Sequence, residues 1–212
     1  MSGIIQGLMS SFKSELKIGD AYEGGYYAGE ISTSGNGVAT HRIVVAPKSS
    51  GQSSSKAWKI SNTATDGTDS VIDGPTNSSN MNNATHPAAQ FCEGLSIGGF
   101  SDWYYPAKNE LEVCYYNLKP TTQTNDTSSG TNTNAVPSRG SNYTSGTPAQ
   151  TSVASFQSGG AEAFEAGTYY CSTQNSNSLA WIQVFYSGEQ YGGDKNTSNP
   201  FTYVRAVRRV AI

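Results

Sequence analysis

The chain has 212 residues and a formal net charge of -3 with only 14% charged residues. That is enough for one domain burying roughly 70% of its unfolded surface, but it lacks the Lys/Arg-rich face that nucleic acid demands. Thirteen Tyr, 23 Gly and many Ser, Thr and Asn describe long polar loops on a modest core, a mixture common in extracellular binding proteins and virion proteins. No stretch is apolar for long enough to span a membrane.

Ile5, Leu8, Met9, Phe12 and Leu16 fall at helical spacing, so residues 1–18 are expected to form an amphipathic attachment segment preceding a domain at 19–212. The segment has no basic n-region and its apolar run is interrupted early, so no cleaved signal peptide is expected. Residues 22–31 and 41–46 read as strands joined by the Asn36-Gly37 hairpin signal, and Pro47 stops the second. Polar loops are expected at 48–55 and 61–83, with a short strand at 57–60 around Trp58. Thr85 reads as an N-cap and Pro87 as first-turn proline of a helix whose stripe is Ala88, Phe91, Cys92 and Leu95, ended by Gly94 or Gly98.

The stretch from Gly99 to Leu111 is the densest meeting of aromatics, turn residues and a helix start. Trp103, Tyr104 and Tyr105 must be buried somewhere, and Pro106 suits a first helical turn. Leu111, Cys114, Tyr115 and Leu118 continue as one apolar stripe until Pro120. Beyond it, 121–152 is a long Thr/Ser/Asn/Gly loop, 153–164 has no clear period, and 169–173 and 179–186 read as strands. A Gly-rich loop at 187–200 and a last strand at 201–211, with Arg208 projecting from a largely apolar face, complete the chain. Strands, helices and strands again give an α+β single domain of twisted antiparallel sheets with two amphipathic helices and long polar loops.

No metal, cofactor or catalytic residue is expected. His41 and His86 have no ligand or triad spacing around them, and 66–69 read as turn chemistry because the EF-hand order of ligands is absent. Cys92, Cys114 and Cys171 lie far apart with no CxxC, so buried free thiols are expected and a disulfide framework is excluded. The Asn-X-Ser/Thr triplets match chance in so Asn-rich a chain.

Five pieces occur together in order: Tyr22-Glu23-Gly24-Gly25, the run from Gly99 to Leu111, Tyr169-Tyr170-Cys171-Ser172-Thr173, Ala180-Trp181, and Val204-Arg205-Ala206-Val207-Arg208. Together they resemble the Lcl-C family, the C-terminal domain of collagen-like bacterial adhesins that is also found in phage virion proteins. The family's usual Trp-Arg-Leu-Pro stands here as Trp103-Tyr104-Tyr105-Pro106, and its Tyr-Trp-Ser-Ser-Thr as Tyr169-Tyr170-Cys171-Ser172-Thr173. The resemblance implies a C-type-lectin-like fold without a catalytic site, and a homo-oligomer with a trimer favoured. A lectin-type calcium triplet is missing.

These readings lead to an expectation of a non-enzymatic phage virion protein, a tail-fibre tip, head fibre or capsid decoration. It would attach to other virion proteins through its N-terminal segment and bind a host-surface glycan or a virion protein. The alternatives are a bacterial surface adhesin of the same family and an enzyme of the formylglycine-generating type, for which the three cysteines lie in the wrong contexts. Tyr143, Tyr191 and Asp194 are the ligand-binding candidates, because planar aromatics beside Asn and Asp in open loops suit glycans. Trp103, Tyr105, Pro106, Leu111, Trp181 and Arg208 are the structural candidates.

Overall fold

The run Ile43-Val44-Val45-Ala46 has no polar member, and both of its faces are buried. Ile43 and Val45 join one apolar cluster while Val44 and Ala46 join another. The computed structural model describes residues 15–212, so the expected N-terminal helix lies outside the described residues except for its end. Glu15, Leu16 and Lys17 there are irregular.

The elements are β1 (Ala21–Tyr22), β2 (Gly25–Ile31), β3 (His41–Val45), α1 (Lys48–Gly51), β4 (Gln52–Ser54), α2 (Gly74–Asn80), α3 (Pro87–Glu93), α4 (Lys108–Leu118), β5 (Ala135–Val136), β6 (Thr168–Gln174), β7 (Leu179–Val184), β8 (Gln190–Asp194), β9 (Thr202–Arg205) and β10 (Val207–Ala211). One sheet runs β1-β2-β3-β10 with β5 also paired to β2, and the second runs β4-β9-β6-β7-β8. Every pairing is antiparallel except β6 with β9. The class is therefore α+β, with few helices.

Strands buried on both faces divide the interior into two cores. Ile31, Leu111, Tyr115, Leu118, Phe164, Tyr169 and Phe185 belong to the first. Trp58, Met81, Cys92, Trp103, Tyr105, Tyr170 and Ile182 belong to the second. The aromatic stretch runs between them, with Tyr104 facing the first core and Trp103 and Tyr105 the second. Its main chain is fixed by a two-way bridge, Tyr104 N donating to Val207 O at 2.9 Å and Val207 N to Tyr104 O at 3.0 Å.

Several expectations are corrected. The single strand at 201–211 is two strands in different sheets, split at the fully buried Ala206, whose N-H donates to Gly51 O while its carbonyl accepts from Ala46 N. Residues 48–55 form a helical turn and β4 in place of a loop. Residues 57–60 are irregular in place of a strand, because their polar groups bond elsewhere: Trp58 Nε1 to Cys171 O, Lys59 N to Lys195 O and Ile60 N to Thr85 O. The loop 61–83 contains α2, capped by Asp73. Residue 86, not Thr85, is the N-cap of α3, Pro106 lies before the cap of α4, and 187–200 contains β8.

The remaining long loops are tied by buried ammonium groups. Lys119 Nζ donates to Gln123 O, to Asn125 Oδ1 and to Pro148 O. Lys195 Nζ donates to Thr63 O, Gln174 Oε1 and Asn177 O, and lies 4.5 Å from the Trp58 ring centroid. Both side chains are almost wholly buried, and each charge is compensated by oxygens on more than one segment.

Arg205 is the third buried cation. Its guanidinium bonds Ala46 O, Glu162 O and Glu162 Oε2 at 2.7 to 2.9 Å and lies 4.6 Å from the Phe164 ring centroid. Glu162 also accepts from Lys48 N at 2.7 Å. Removing the carboxylate leaves a buried charge unpaired, so Glu162→Ala is expected to cost about 3–5 kcal/mol in urea unfolding at pH 7. A loss below about 1 kcal/mol would contradict this account.

His86 is 4% exposed and edge-on to Trp58, with Nε2 2.9 Å from Thr65 Oγ1 and Nδ1 2.9 Å from Asn83 Oδ1. Burial, then Lys59 and Lys195, lower its pKa to about 4. Because the folded value lies below the unfolded one, its contribution is complete above about pH 6.5 and is lost as pH falls toward 4. Thermal melts are expected to show an acid loss of about 2–3 kcal/mol between those limits that His86→Gln removes; an unchanged pH profile in that variant would refute it.

Candidate functional site

Strand β7 alternates, placing Ala180, Ile182 and Val184 in the second core and Leu179, Trp181 and Gln183 on the other face, where Gln183 is buried and Trp181 packs partly buried against the first core. Directly opposite Trp181 on β8 is Gly192, so no side chain covers the indole from that strand. The ring is half-buried and forms one wall of an open cleft of about 190 Å³, shared with Lys108, Ser128, Thr131, Asn142 and Gln190.

Each wall comes from a different element. Lys108 is the first residue of α4, anchored by its N-H donating to Thr173 Oγ1 at 2.9 Å, and its Nζ lies 4.2 Å from the Trp181 ring centroid. Burial lowers its pKa, with Cys171 and Glu112 opposing. Gln190 donates through Nε2 to Gln183 Oε1 at 2.8 Å, while Ser129 Oγ accepts from Gln190 N at 3.0 Å, stitching the 121–152 loop to the β8 edge. Thr131 Oγ1 donates to Asn142 Oδ1 at 2.8 Å, which leaves the Asn142 amide nitrogen as an outward donor.

Gly130 forms the floor at φ +110°, and a Cβ there would lie 2.3 Å from the Tyr143 ring. Both the left-handed backbone and the close approach require glycine. Across Asn142 a second cleft of about 290 Å³ is lined by Tyr116, Arg139 and Thr147, with the Arg139 guanidinium 4.0 Å from the Tyr116 ring centroid and ion-paired to buried Glu112. Arg139 Nε is buried and without a hydrogen-bond partner. The two clefts thus present two aromatic rings, two cations and a shared amide, which suits binding a polar ligand with flat apolar faces.

The structure does not bring Tyr143, Tyr191 and Asp194 together. Tyr143 is a core residue, 5% exposed, its hydroxyl donating to Glu112 Oε1 at 2.7 Å; the expected open-loop aromatic is corrected to a buried one beneath the cleft. Tyr191 and Asp194 belong to β8, on opposite faces of it, in place of a loop. Tyr191 is exposed, and the Asp194 carbonyl accepts from Tyr170 Oη at 2.7 Å.

Trp103, Tyr105, Pro106, Leu111 and Arg208 are buried. Arg208 makes a two-pronged bond to Asp102 at 2.8 and 2.9 Å and stacks 3.7 Å from the Phe100 ring centroid, so its carboxylate partner is a half-exposed one. Trp181, expected to be structural, packs partly buried against the first core and also faces the cleft.

The three cysteines are free and buried. Burial pushes the thiols of Cys114 and Cys171 up to about 12 and that of Cys92 well above its ordinary value, the state of packing thiols and not of nucleophiles. Among the described residues no three His, Cys, Asp or Glu side chains gather into a metal-ligating group, and no helix is long and apolar enough to cross a membrane. Compared with protein-family models and with curated proteins, the chain matches none.

Glu112 accepts from Tyr143, Asn132 and Arg139 while fully buried. Tyr143→Phe deletes one of these bonds to a charged group and is expected to cost about 1.5–3 kcal/mol in denaturant unfolding. A stability equal to that of the unaltered chain would show that Tyr143 is not part of the cleft's foundation.

Proposed function

We propose that this chain is a non-enzymatic phage virion protein, a tail-fibre tip, head fibre or capsid decoration, which displays a C-type-lectin-like domain of the Lcl-C type and binds a host-surface saccharide in the Trp181–Lys108 cleft. One observation carries the binding part: a half-exposed indole with glycine opposite it on β8, an ammonium at its face and the amides of Asn142 and Gln190 beside it. Saccharides bind on such surfaces because their C-H faces lie against an aromatic ring while their hydroxyls take directional hydrogen bonds.

The lectin-like fold is favoured by the five resembling pieces and by the placement of the last strand. Strand β10 pairs with β3 beside β2, which brings both ends of the domain into one sheet. The virion setting rests on the resemblance and on the loop composition, and attachment to other virion proteins is assigned to residues 1–18.

Purified protein is expected to bind a subset of oligosaccharides on an array and to adsorb to host cells, with Trp181→Ala weakening both at least tenfold while its melting temperature stays within a few degrees. Unchanged binding in Trp181→Ala would remove the cleft from the proposal. Association with purified virions without any saccharide binding would leave a decoration protein that contacts only other virion proteins.

A further inference from the structure

Seven large apolar side chains are exposed among the described residues, and the three aromatic ones are Tyr186, Tyr191 and Phe201. Of these, Tyr186 lines a cleft with Ala166, just ahead of β6. An exposed aromatic ring set in a cleft is a recognition feature where singly scattered apolar residues are not.

The cleft measures about 540 Å³, within the ~300–1,000 Å³ range of small-ligand sites. Its other walls are Thr122, Gln123, Gln150 and Ser158, and no Lys, Arg, Asp or Glu lines it. Thr121 Oγ1 donates to Tyr186 O at 3.0 Å and so fixes the aromatic residue against the loop. Gln150 gives its Nε2 to Pro120 O at 2.7 Å, which leaves its amide oxygen to accept from a ligand hydroxyl. The contrast with the Trp181 cleft is chemical, because that cleft holds Lys108 and borders Arg139.

We propose that this Tyr186 cleft binds an uncharged saccharide unit. A carboxylated or sulfated sugar would be desolvated there against hydroxyls and amides with no charged side chain lining the cleft to pair it, a cost its binding does not recover. A neutral pyranose places its C-H face on Tyr186 and its hydroxyls at Gln123 and Gln150. This rests on the saccharide reading above for the choice of ligand type, but the cleft and its lack of charge are independent of Trp181.

The test uses the full chain with neutral and acidic oligosaccharides on one array, followed by titration calorimetry of the neutral ligands that bind. Tyr186→Ala and Gln123→Ala are each expected to weaken neutral-saccharide binding at least tenfold and to leave any Trp181-dependent binding within twofold, with melting temperatures preserved. Neutral saccharides that bind equally well to both variants, or do not bind while Trp181-dependent binding persists, overturn the second site and spare the first. Absence of all saccharide binding overturns both. A concentration-dependent oligomer abolished by Tyr186→Ala, without neutral-saccharide binding, would reassign the cleft to a second copy of the chain.

Discussion

One buried carboxylate holds the aromatic stretch, the longest helix and the C-terminal strand in a single arrangement. Glu110 is wholly inaccessible, and its Oε2 accepts from Ala107 N at 2.7 Å while its Oε1 accepts from Tyr104 Oη and Arg209 Nε, each at 2.5 Å. Arg209 in turn donates to Ile72 O, which brings in the segment leading to α2. Burial pushes the Glu110 pKa up, and Arg209, Tyr104 and the Ala107 N-H pull it back. The carboxylate also lies in the first turn of α4, where its charge meets the positive end of the helix. Without it, the aromatic stretch and β10 lose their common link to α4, and the charge of Arg209 is left facing the interior.

The position of that carboxylate decides where the clefts lie. Fixing the start of α4 fixes Lys108, and Lys108 reaches the Trp181 ring on the neighbouring sheet. Two residues into the next turn, Glu112 faces the opposite way and collects Asn132, Arg139 and Tyr143 from the 121–152 loop. One helix therefore organises the core with Glu110 and Leu111 and the two clefts with Lys108 and Glu112. The aromatic stretch is the hub of the fold because its chain passes between two cores.

Much of this architecture was readable from residue patterns. The stripe Leu111, Cys114, Tyr115, Leu118 follows from helical periodicity, the strands β2, β3, β6 and β7 from runs of strand-forming residues between turn signals, and of the two glycines offered as the end of α3 the structure takes Gly94. What was not legible depended on partners distant in the chain. Residues 201–211 alternate without interruption, and only the crossing of two sheets at Ala206 divides them. Trp58 sits in a strand-like run, but its indole N-H bonds Cys171 O and the following amides bond two other segments, Lys59 N to Lys195 O and Ile60 N to Thr85 O. Tyr143 stands in a polar loop whose composition says surface, and the buried Glu112 that draws it inward lies on another element. Trp181 packs against the first core and also walls a cleft, because glycine stands opposite it on β8, a pairing that the residue's own neighbours in sequence do not reveal.

The ammonium ties of Lys119 and Lys195 carry a consequence for how such a surface diversifies. Four of their six oxygen acceptors, those of Gln123, Pro148, Thr63 and Asn177, are main-chain carbonyls, which every residue type supplies. A loop anchored in this way can exchange side chains at those positions and keep its path. The cation is covalently part of the chain, so the anchor neither dissociates nor depends on the ionic composition of the surroundings. Side-chain identity at those four positions is thereby released from the task of shaping the loop.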